Sequence, residues 1–502
     1  MRCNLLTPFL KRKDNVPIYK QIVNHIINLA EKNILQPGDV LPPSRQLAQK
    51  LSISRYTVTQ AYEELWAKGY LESSQGAYTK IRKRPSISRI ENRNKNRIDF
   101  SSLIPDEKKD ILDSLTYSND GNVYKNKIID FSVMNLDSSL FPVENFRKSM
   151  NEILRKFDPD ILNYGNNRGF TQLREWISKR MQFYSIDVTT DEILLTNGIS
   201  QGLDLLLKLF TERGDIVLTE SPGYRIAISL MKFHGLNVIG IPVKEDGMDL
   251  KFLRDVLEKL IKNERTAKLI YTVPTFHNPT GITTGQRHRE KLLELCYEFS
   301  LPIIEDSFEE EINYFDKMVL PIKSMDESQI VFYLGTFSKI LFPGLRTGWI
   351  AGEKSCIKKL TTIKQISNLS GNPLNHAALF EYCKSGQYET FIKKANKFYS
   401  YKMSMAISFM KKYIKNPEIE WAEPSGGYIF WIKTKIDRSH EKELLNICEK
   451  NGVKVAAGSD FFIQKPKNTY IRICISSIAE NEIEDGISRL SVALNEFLVK
   501  HS

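Results

Sequence analysis

The residues best suited to chemistry lie in Gly335-Thr336-Phe337-Ser338-Lys339-Ile340-Leu341-Phe342-Pro343-Gly344-Leu345-Arg346-Thr347-Gly348. A lysine follows a strand-like apolar run, sits among hydroxyl side chains and precedes an arginine by seven residues. An aldehyde that carries a phosphate needs such a set. The Lys339 amine can form a Schiff base with the aldehyde, while Thr336, Ser338 and Arg346 neutralise and hydrogen-bond the phosphate. That chemistry suits an aldehyde phosphate cofactor.

Other segments supply the complementary parts. Thr196-Asn197-Gly198-Ile199-Ser200-Gln201 turns from a strand into an apolar helix, whose first N–H groups, those of Ile199 and Ser200, can cradle phosphate. Glu305-Asp306 ends another strand, where the Asp306 carboxylate can keep a pyridine nitrogen protonated and its ring electron-withdrawing. In Pro274-Thr275-Phe276-His277-Asn278-Pro279-Thr280-Gly281 the Asn278 amide can donate toward the phenolic oxygen. Tyr224 can stack on the ring face, and Arg472 is a fork for a substrate or effector carboxylate. Taken singly, Asp306 could be a cap, Asn278 a turn residue, Tyr224 core and Arg472 half of a surface ion pair. Their joint occurrence in this order carries the reading.

A second constellation is basic. Residues 1–97 hold 18 Lys and Arg against 7 Asp and Glu, whereas the other 405 hold 53 of each, so the whole net charge of +11 belongs to the first fifth of the chain. That asymmetry suggests a polyanion-binding module joined to a neutral body, or else a solvated basic tail.

The elements that must position these residues follow from periodicity. Ile18, Ile22, Ile26 and Leu29 share one helix face. Ser44 is placed to cap a short helix carrying Leu47, Ala48 and Leu51, and Ser54 to cap the next, with Val58, Ala61, Tyr62 and Leu65 inward. Gly69 suits a left-handed C-cap. Tyr70-Leu71-Glu72, the turn Ser74-Gln75-Gly76 and Ala77–Ile81 then read as a hairpin, which makes residues 14–82 a winged helix-turn-helix. Its second helix would enter the major groove of double-stranded DNA with Ser54, Arg55, Thr57 and Thr59, while Ser44 and Arg45 meet phosphate at the preceding helix start. Residues 83–127 read as a polar linker. From 128 to 502, short apolar strands (193–195, 216–218, 269–273, 303–304, 331–334) alternate with helices, the pattern of an α/β domain, and a smaller α+β lobe follows from about 390 with strands at 427–431 and 470–474.

Leu41-Pro42-Pro43-Ser44-Arg45-Gln46-Leu47-Ala48, Ser54-Arg55-Tyr56-Thr57-Val58 and Leu65-Trp66-Ala67-Lys68-Gly69-Tyr70-Leu71 together resemble the GntR family of bacterial repressors. The wing departs from that family's Gly-x-Gly-x-Tyr/Phe-Val ending, which here reads Gln75-Gly76-Ala77-Tyr78-Thr79, so Gly76 is the expected wing contact. The region from 128 onward resembles fold-type I aminotransferases of class I/II, with their Ser-x-x-Lys and Asn-Pro-x-Gly signatures. That resemblance implies that Tyr164 reaches the partner subunit's cofactor phosphate in a homodimer. The fusion resembles the MocR subfamily of transcriptional regulators. Where such proteins carry Asp-Tyr after Glu-Asp, this chain has Ser307-Phe308, and phenylalanine donates no hydrogen bond to the phenolic oxygen.

With 502 residues, 41 % apolar and 26 % charged, the chain has material for two or three domains and fits neither a disordered nor a membrane class. No apolar run nears the roughly 18–20 residues of a spanning helix, and the start has no long apolar stretch before Lys11, so a cytoplasmic protein is expected. The six scattered cysteines form no CxxC and read as reduced thiols; the seven histidines form no HxxxH or HExxH, so no metal site is expected. Three functions remain open: a regulator that senses an amino compound through cofactor on Lys339, a regulator whose effector is the cofactor itself, and a working aminotransferase with an accessory DNA-binding domain.

Overall fold

A computed structural model describes residues 10, 16–72, 78–82, 100–115, 128–156, 159–314 and 318–501. Its contacts divide the chain into two units, Met1–Pro105 and Asp106–Ser502. The expected wing turn with Gly76 and the linker positions 83–99 and 116–127 lie outside the described residues.

The first unit contains α1 (Ile18–Glu31), α2 (Ser44–Leu51), α3 (Arg55–Ala67), β1 (Leu71–Glu72) and β2 (Lys80–Ile81). The helical spacing delivers Ile22, Val23, Ile26 and Leu29 to one core with Leu47, Leu51, Val58, Ala61 and Leu65. Ser54 caps α3, its hydroxyl accepting from the Tyr56 N–H at 3.1 Å. Ser44 does not cap α2. It is the first helical residue, and Pro43 (φ −52°, ψ 143°) holds the cap position, because the proline ring already fixes the extended entry that a capping hydroxyl would otherwise stabilise. Just past the end of α3, Gly69 turns the chain with φ 70°, and the Tyr70 N–H reaches back to the Leu65 carbonyl at 2.9 Å. β1 and β2 pair antiparallel, Leu71 opposite Ile81, and Val40 adds a bridge to Lys80.

The second unit runs α4 (Asp106–Leu115), β3 (Ile129–Asp130), α5 (Val143–Lys156), α6 (Thr171–Gln182), β4 (Ile193–Thr196), α7 (Ile199–Phe210), β5 (Ile216–Ser221), α8 (Arg225–Phe233), β6 (Asn237–Lys244), β7 (Gly247–Met248), α9 (Leu250–Lys262), β8 (Ala267–Thr272), α10 (Gln286–Glu298), β9 (Ile303–Ser307), β10 (Val331–Thr336) and β11 (Gly348–Ala351). It continues with α11 (Lys354–Asn368), α12 (Pro373–Lys384), α13 (Gln387–Tyr413), β12 (Ile419–Trp421), β13 (Ile429–Asp437), α14 (Glu441–Lys450), β14 (Val453–Lys454), β15 (Ala456–Ala457), β16 (Asn468–Cys474) and α15 (Glu480–Lys500).

The main sheet has the order β4-β11-β10-β9-β8-β5-β6-β7. Strands β10, β9, β8, β5 and β6 are parallel, and β11 runs against both β10 and β4. The carboxyl ends of β4, β5, β8, β9 and β10 therefore lie on one edge, where open α/β sheets place ligands. Three strands of this sheet, β6, the two-residue β7 and β11, were not expected. β11 is only Gly-Trp-Ile-Ala inside a glycine-rich stretch, and Gly240 and Pro242 interrupt the pattern of β6, the next-to-last strand of the sheet. The second sheet is β12-β13-β16-β15, and β3 pairs in parallel with β14.

Gly348 is fixed by close approach: a Cβ there would lie 2.7 Å from the Gly335 carbonyl and 2.9 Å from the Gly198 Cα. Backbone cannot yield as a side-chain tip can. Gly348→Ala should therefore cost about 1–3 kcal/mol of stability, the usual range for overpacking, read by urea denaturation of the full-length protein.

Candidate cofactor and nucleic-acid sites

The five strand ends converge on one cavity lined by Gly198, Ile199, Ser200, Tyr224, Asn278, Asp306, Phe308, Thr336, Ser338, Lys339, Arg346 and Met134. Nine of the ten cofactor residues expected from the sequence are among them. The tenth, Tyr164, lies elsewhere on the surface, 79 % exposed. Arg472 sits behind the cavity rather than on its wall, with one amino group donating to the Asn278 Oδ1 at 3.2 Å and the other to the Ser132 carbonyl at 2.5 Å.

The lysine loop is built by the turn from β10 into β11. Thr336 stands opposite Gly348. The Phe337 N–H and the Thr336 hydroxyl both donate to the Thr347 carbonyl, at 2.9 and 3.2 Å, and the Ser338 N–H donates to Thr336 Oγ1 at 3.0 Å. Thr336 is thereby occupied in closing the loop. Ser338, 5 % exposed, keeps a hydroxyl with no hydrogen-bond partner among the described residues. Arg346 adopts a left-handed conformation, φ 46°, and its guanidinium donates to the Asn197 carbonyl at 2.7 Å. Gly198 (φ 100°) opens α7, and a Cβ there would come within 3.0 Å of the Arg346 guanidinium. The helix N-terminus, its leading glycine and the arginine thus form one pocket for an anion.

At the other end of the cavity, Asp306 is 1 % exposed. Its Oδ2 accepts from the Tyr271 hydroxyl at 2.5 Å, while Oδ1 has no partner among the described residues. Burial pushes the Asp306 carboxyl up to about 7, against the Tyr271 hydrogen bond and with help from Glu220. A buried acid with one unsatisfied oxygen fits a protonated ring nitrogen, and an unsatisfied Ser338 hydroxyl fits a phosphate oxygen. The residues present therefore fit pyridoxal 5'-phosphate. The Lys339 ammonium donates to the Met134 carbonyl at 2.6 Å; burial holds it below the ordinary lysine value, opposed by Glu309.

Glu309 and Met134 escaped the sequence reading. Glu309 is 1 % exposed, neither of its oxygens is hydrogen-bonded among the described residues, and burial raises its carboxyl despite the Lys339 and Arg472 charges nearby. An acidic run after a strand normally reads as solvated, so only the fold reveals it. Met134 offers its carbonyl, which no side-chain pattern announces.

In the first unit, Arg45, Ser54 and Arg55 are exposed, and Ser44, Thr57 and Thr59 are half-buried along the start of α2 and the first turns of α3. Thr59 Oγ1 donates back to the Arg55 carbonyl at 3.1 Å, which ties up its donor. Tyr56, 75 % exposed between these residues, adds an aromatic to the same face.

Burial pushes Asp306, Glu220 and Glu305 each to about 7. A carboxyl raised on folding favours the folded state below its unfolded value of about 4, and this contribution is lost as pH rises through about 7. Asparagine mimics the protonated acid. Asp306→Asn should therefore gain thermal stability relative to the parent as pH rises from about 4 to 7, measured by melting without added cofactor.

Among the described residues no helix is long and apolar enough to cross a membrane. The model of bacterial regulatory proteins of the gntR family matches residues 18–81, and that of aminotransferase class I and II matches residues 126–490. The chain is 27 % identical to the uncharacterized HTH-type transcriptional regulator YdfD of Bacillus subtilis, over 97 % of this chain and 98 % of that one. It is 34 % identical to aromatic-amino-acid aminotransferase 1 of Thermococcus litoralis, over 72 % of this chain and 86 % of that one. The crystal structure of LysN, an alpha-aminoadipate aminotransferase from Thermus thermophilus complexed with N-(5'-phosphopyridoxyl)-L-leucine, superposes with a TM-score of 0.71 at 26 % identity, covering 80 % of this chain and all of that one. The protein belongs to the aminotransferase class I and II family and carries a gntR-family helix-turn-helix ahead of that domain, the MocR arrangement.

Proposed function

We propose that this chain is a DNA-binding transcriptional regulator whose aminotransferase-like unit holds pyridoxal 5'-phosphate and reads an amino compound or the cofactor itself. The observation that carries the reading is the joining of a helix-turn-helix, set within the basic first 97 residues, to a cavity with an unsatisfied acid and an unsatisfied hydroxyl flanking a lysine. Relatives that share both parts over their full length bear the name of transcriptional regulators. Such a regulator works where the DNA is, in the cytoplasm.

Bound there, the cofactor supplies an aldehyde that condenses with primary amines and a ring that withdraws electrons. The rest is the work of this chain. Lys339 would hold the aldehyde carbon, and its depressed pKa makes the neutral, nucleophilic amine more accessible. Asp306, kept in place by Tyr271, would hold the ring nitrogen. Asn278 would meet the phenolic oxygen and Tyr224 the ring face. The Ile199 and Ser200 N–H groups, Ser338 and Arg346 would take the phosphate, with Thr336 fixing the loop that presents them. Tyr164, exposed in the single chain, would reach the phosphate of a second subunit in a homodimer.

Arg472 supplies the link to an effector. A carboxylate arriving there would meet a guanidinium already engaged with the Asn278 side chain and the Ser132 carbonyl. An amino acid would thus compete with these two segments for Arg472, and it shifts the population only if it binds one arrangement better than the other. On the DNA, Arg55 would read bases from the start of α3 while Arg45 meets phosphate.

The 34 % identity to an aminotransferase favours a second reading, a working transaminase with an accessory DNA-binding domain. Phe308, on the cavity wall with no hydroxyl to give, weighs against fast turnover. Sustained production of a 2-oxo acid from a donor–acceptor pair would establish that reading instead.

The deciding experiment is binding of the full-length protein to its own upstream DNA at two salt concentrations, with and without cofactor and an amino-acid panel. Arg55→Ala should weaken site-specific binding by about 1–3 kcal/mol, and Arg45→Ala should lower the salt slope by about one. Lys339→Ala should lose cofactor retention after dialysis and the ligand response together. DNA binding that answers ligands equally well in Lys339→Ala would sink the role given to the lysine. Affinity that tracks cofactor and ignores every amine would make the cofactor itself the signal.

A further inference from the structure

Away from the cofactor cavity, three side chains able to ligate a metal meet where two helices end. His440 stands one residue before α14, Glu443 lies in its first turn, and His501 follows α15. The two imidazole rings are 4.0 Å apart between centroids. Glu443 Oε2 lies 3.1 Å from His501 Nε2 and 3.8 Å from His440 Nδ1. All three ligand atoms fall within 4.8 Å of one another, and no other such group of three or more occurs among the described residues.

We propose that His440, Glu443 and His501 form a binding site for one zinc ion. Ligands about 2.0–2.1 Å from a tetrahedral ion stand about 3.4 Å apart, and the two separations to Glu443 bracket that value. The two imidazole ligand nitrogens lie within 4.8 Å of each other, near enough for one ion to bridge once the rings adjust. Two imidazole nitrogens with one carboxylate oxygen suit zinc, whereas magnesium and calcium prefer oxygen alone.

The surroundings are compatible with an ion. Lys500 approaches Glu443 through the other oxygen, Oε1, at 3.6 Å, which leaves Oε2 to the imidazoles. His501 is held in place by the edge of the Phe497 ring, with centroids 5.0 Å apart. The His440 and Glu443 side chains are 42 % and 40 % exposed, so the ion has an entry path and water can complete the shell. The ion would staple the start of α14 to the end of α15. The sequence hides this site because His440-x-x-Glu443 supplies two ligands and the third comes from a distant helix end.

The test uses full-length protein stripped with chelator and titrated with zinc against a chromophoric competitor, with circular dichroism confirming that each variant is folded. The parent should take up one zinc per chain in a nitrogen and oxygen shell by X-ray absorption. Losing a ligand should cost more than losing an outer-shell partner, itself worth about 10–100-fold in affinity, so His440→Ala, Glu443→Gln and His501→Ala should each weaken uptake by more than about tenfold. No uptake by the parent, undiminished uptake by the variants, or sulfur in the shell would overturn the proposal.

Discussion

Strand β11 runs back along β10 inside a sheet whose other central strands are parallel, and two donors, the Phe337 N–H and the Thr336 hydroxyl, close the intervening loop on one carbonyl, that of Thr347. Lys339 and Arg346 are seven residues apart in the chain, but the turn-back returns both to the edge where the parallel strands end. The antiparallel pairing also brings Gly348 against Gly335 and Gly198, so the lysine loop and the start of α7 are set by the same backbone contact. The distance between the lysine and the anion pocket is thus a property of strand register, which a one-residue slip would destroy.

The same edge concentrates buried acids. Glu220, Glu305, Asp306 and Glu309 all end or follow strands, and burial raises each of them. They are satisfied to different degrees. Glu305 accepts two backbone N–H groups, from Ile322 and Lys323, and Glu220 accepts from the Thr272 hydroxyl and the Val273 N–H. Those two are part of the framework. Asp306 keeps one oxygen unpaired and Glu309 both. Buried groups without partners are costly, and here they lie beside the lysine, where incoming chemistry could repay the cost.

Much of this was legible in the residues. Lys339 among hydroxyls, Asp306 at a strand end and the Ser54-capped helix each carry a local physical signature, and the structure gathers nine expected residues around one cavity. What was not legible depends on distant packing. β11 is too short and glycine-rich to announce itself. Thr336 and Thr59 offer hydroxyls, but the backbone claims them first. Pro43 displaces Ser44 as the cap because ring geometry does the work of a hydrogen bond. Glu309 and the His440, Glu443, His501 group become visible only once helices and strands far apart in sequence are side by side.

One pairing has a mechanical consequence. β3 is joined in parallel to β14, and Phe131 is bonded both to the Lys454 carbonyl and to the Cys474 N–H, so the chain at 129–131 is stitched to the C-terminal sheet. Just upstream, α4 rests instead on α8, with Lys108 over the Phe233 ring, and on the α7–β5 connection through an exposed Arg213–Glu107 ion pair. Exposed pairs of this kind hold weakly. The described residues on either side are thus held unequally, 129–131 by backbone hydrogen bonds and α4 by exposed side chains. Of these two attachments, α4 is the one that opens at the lower free energy.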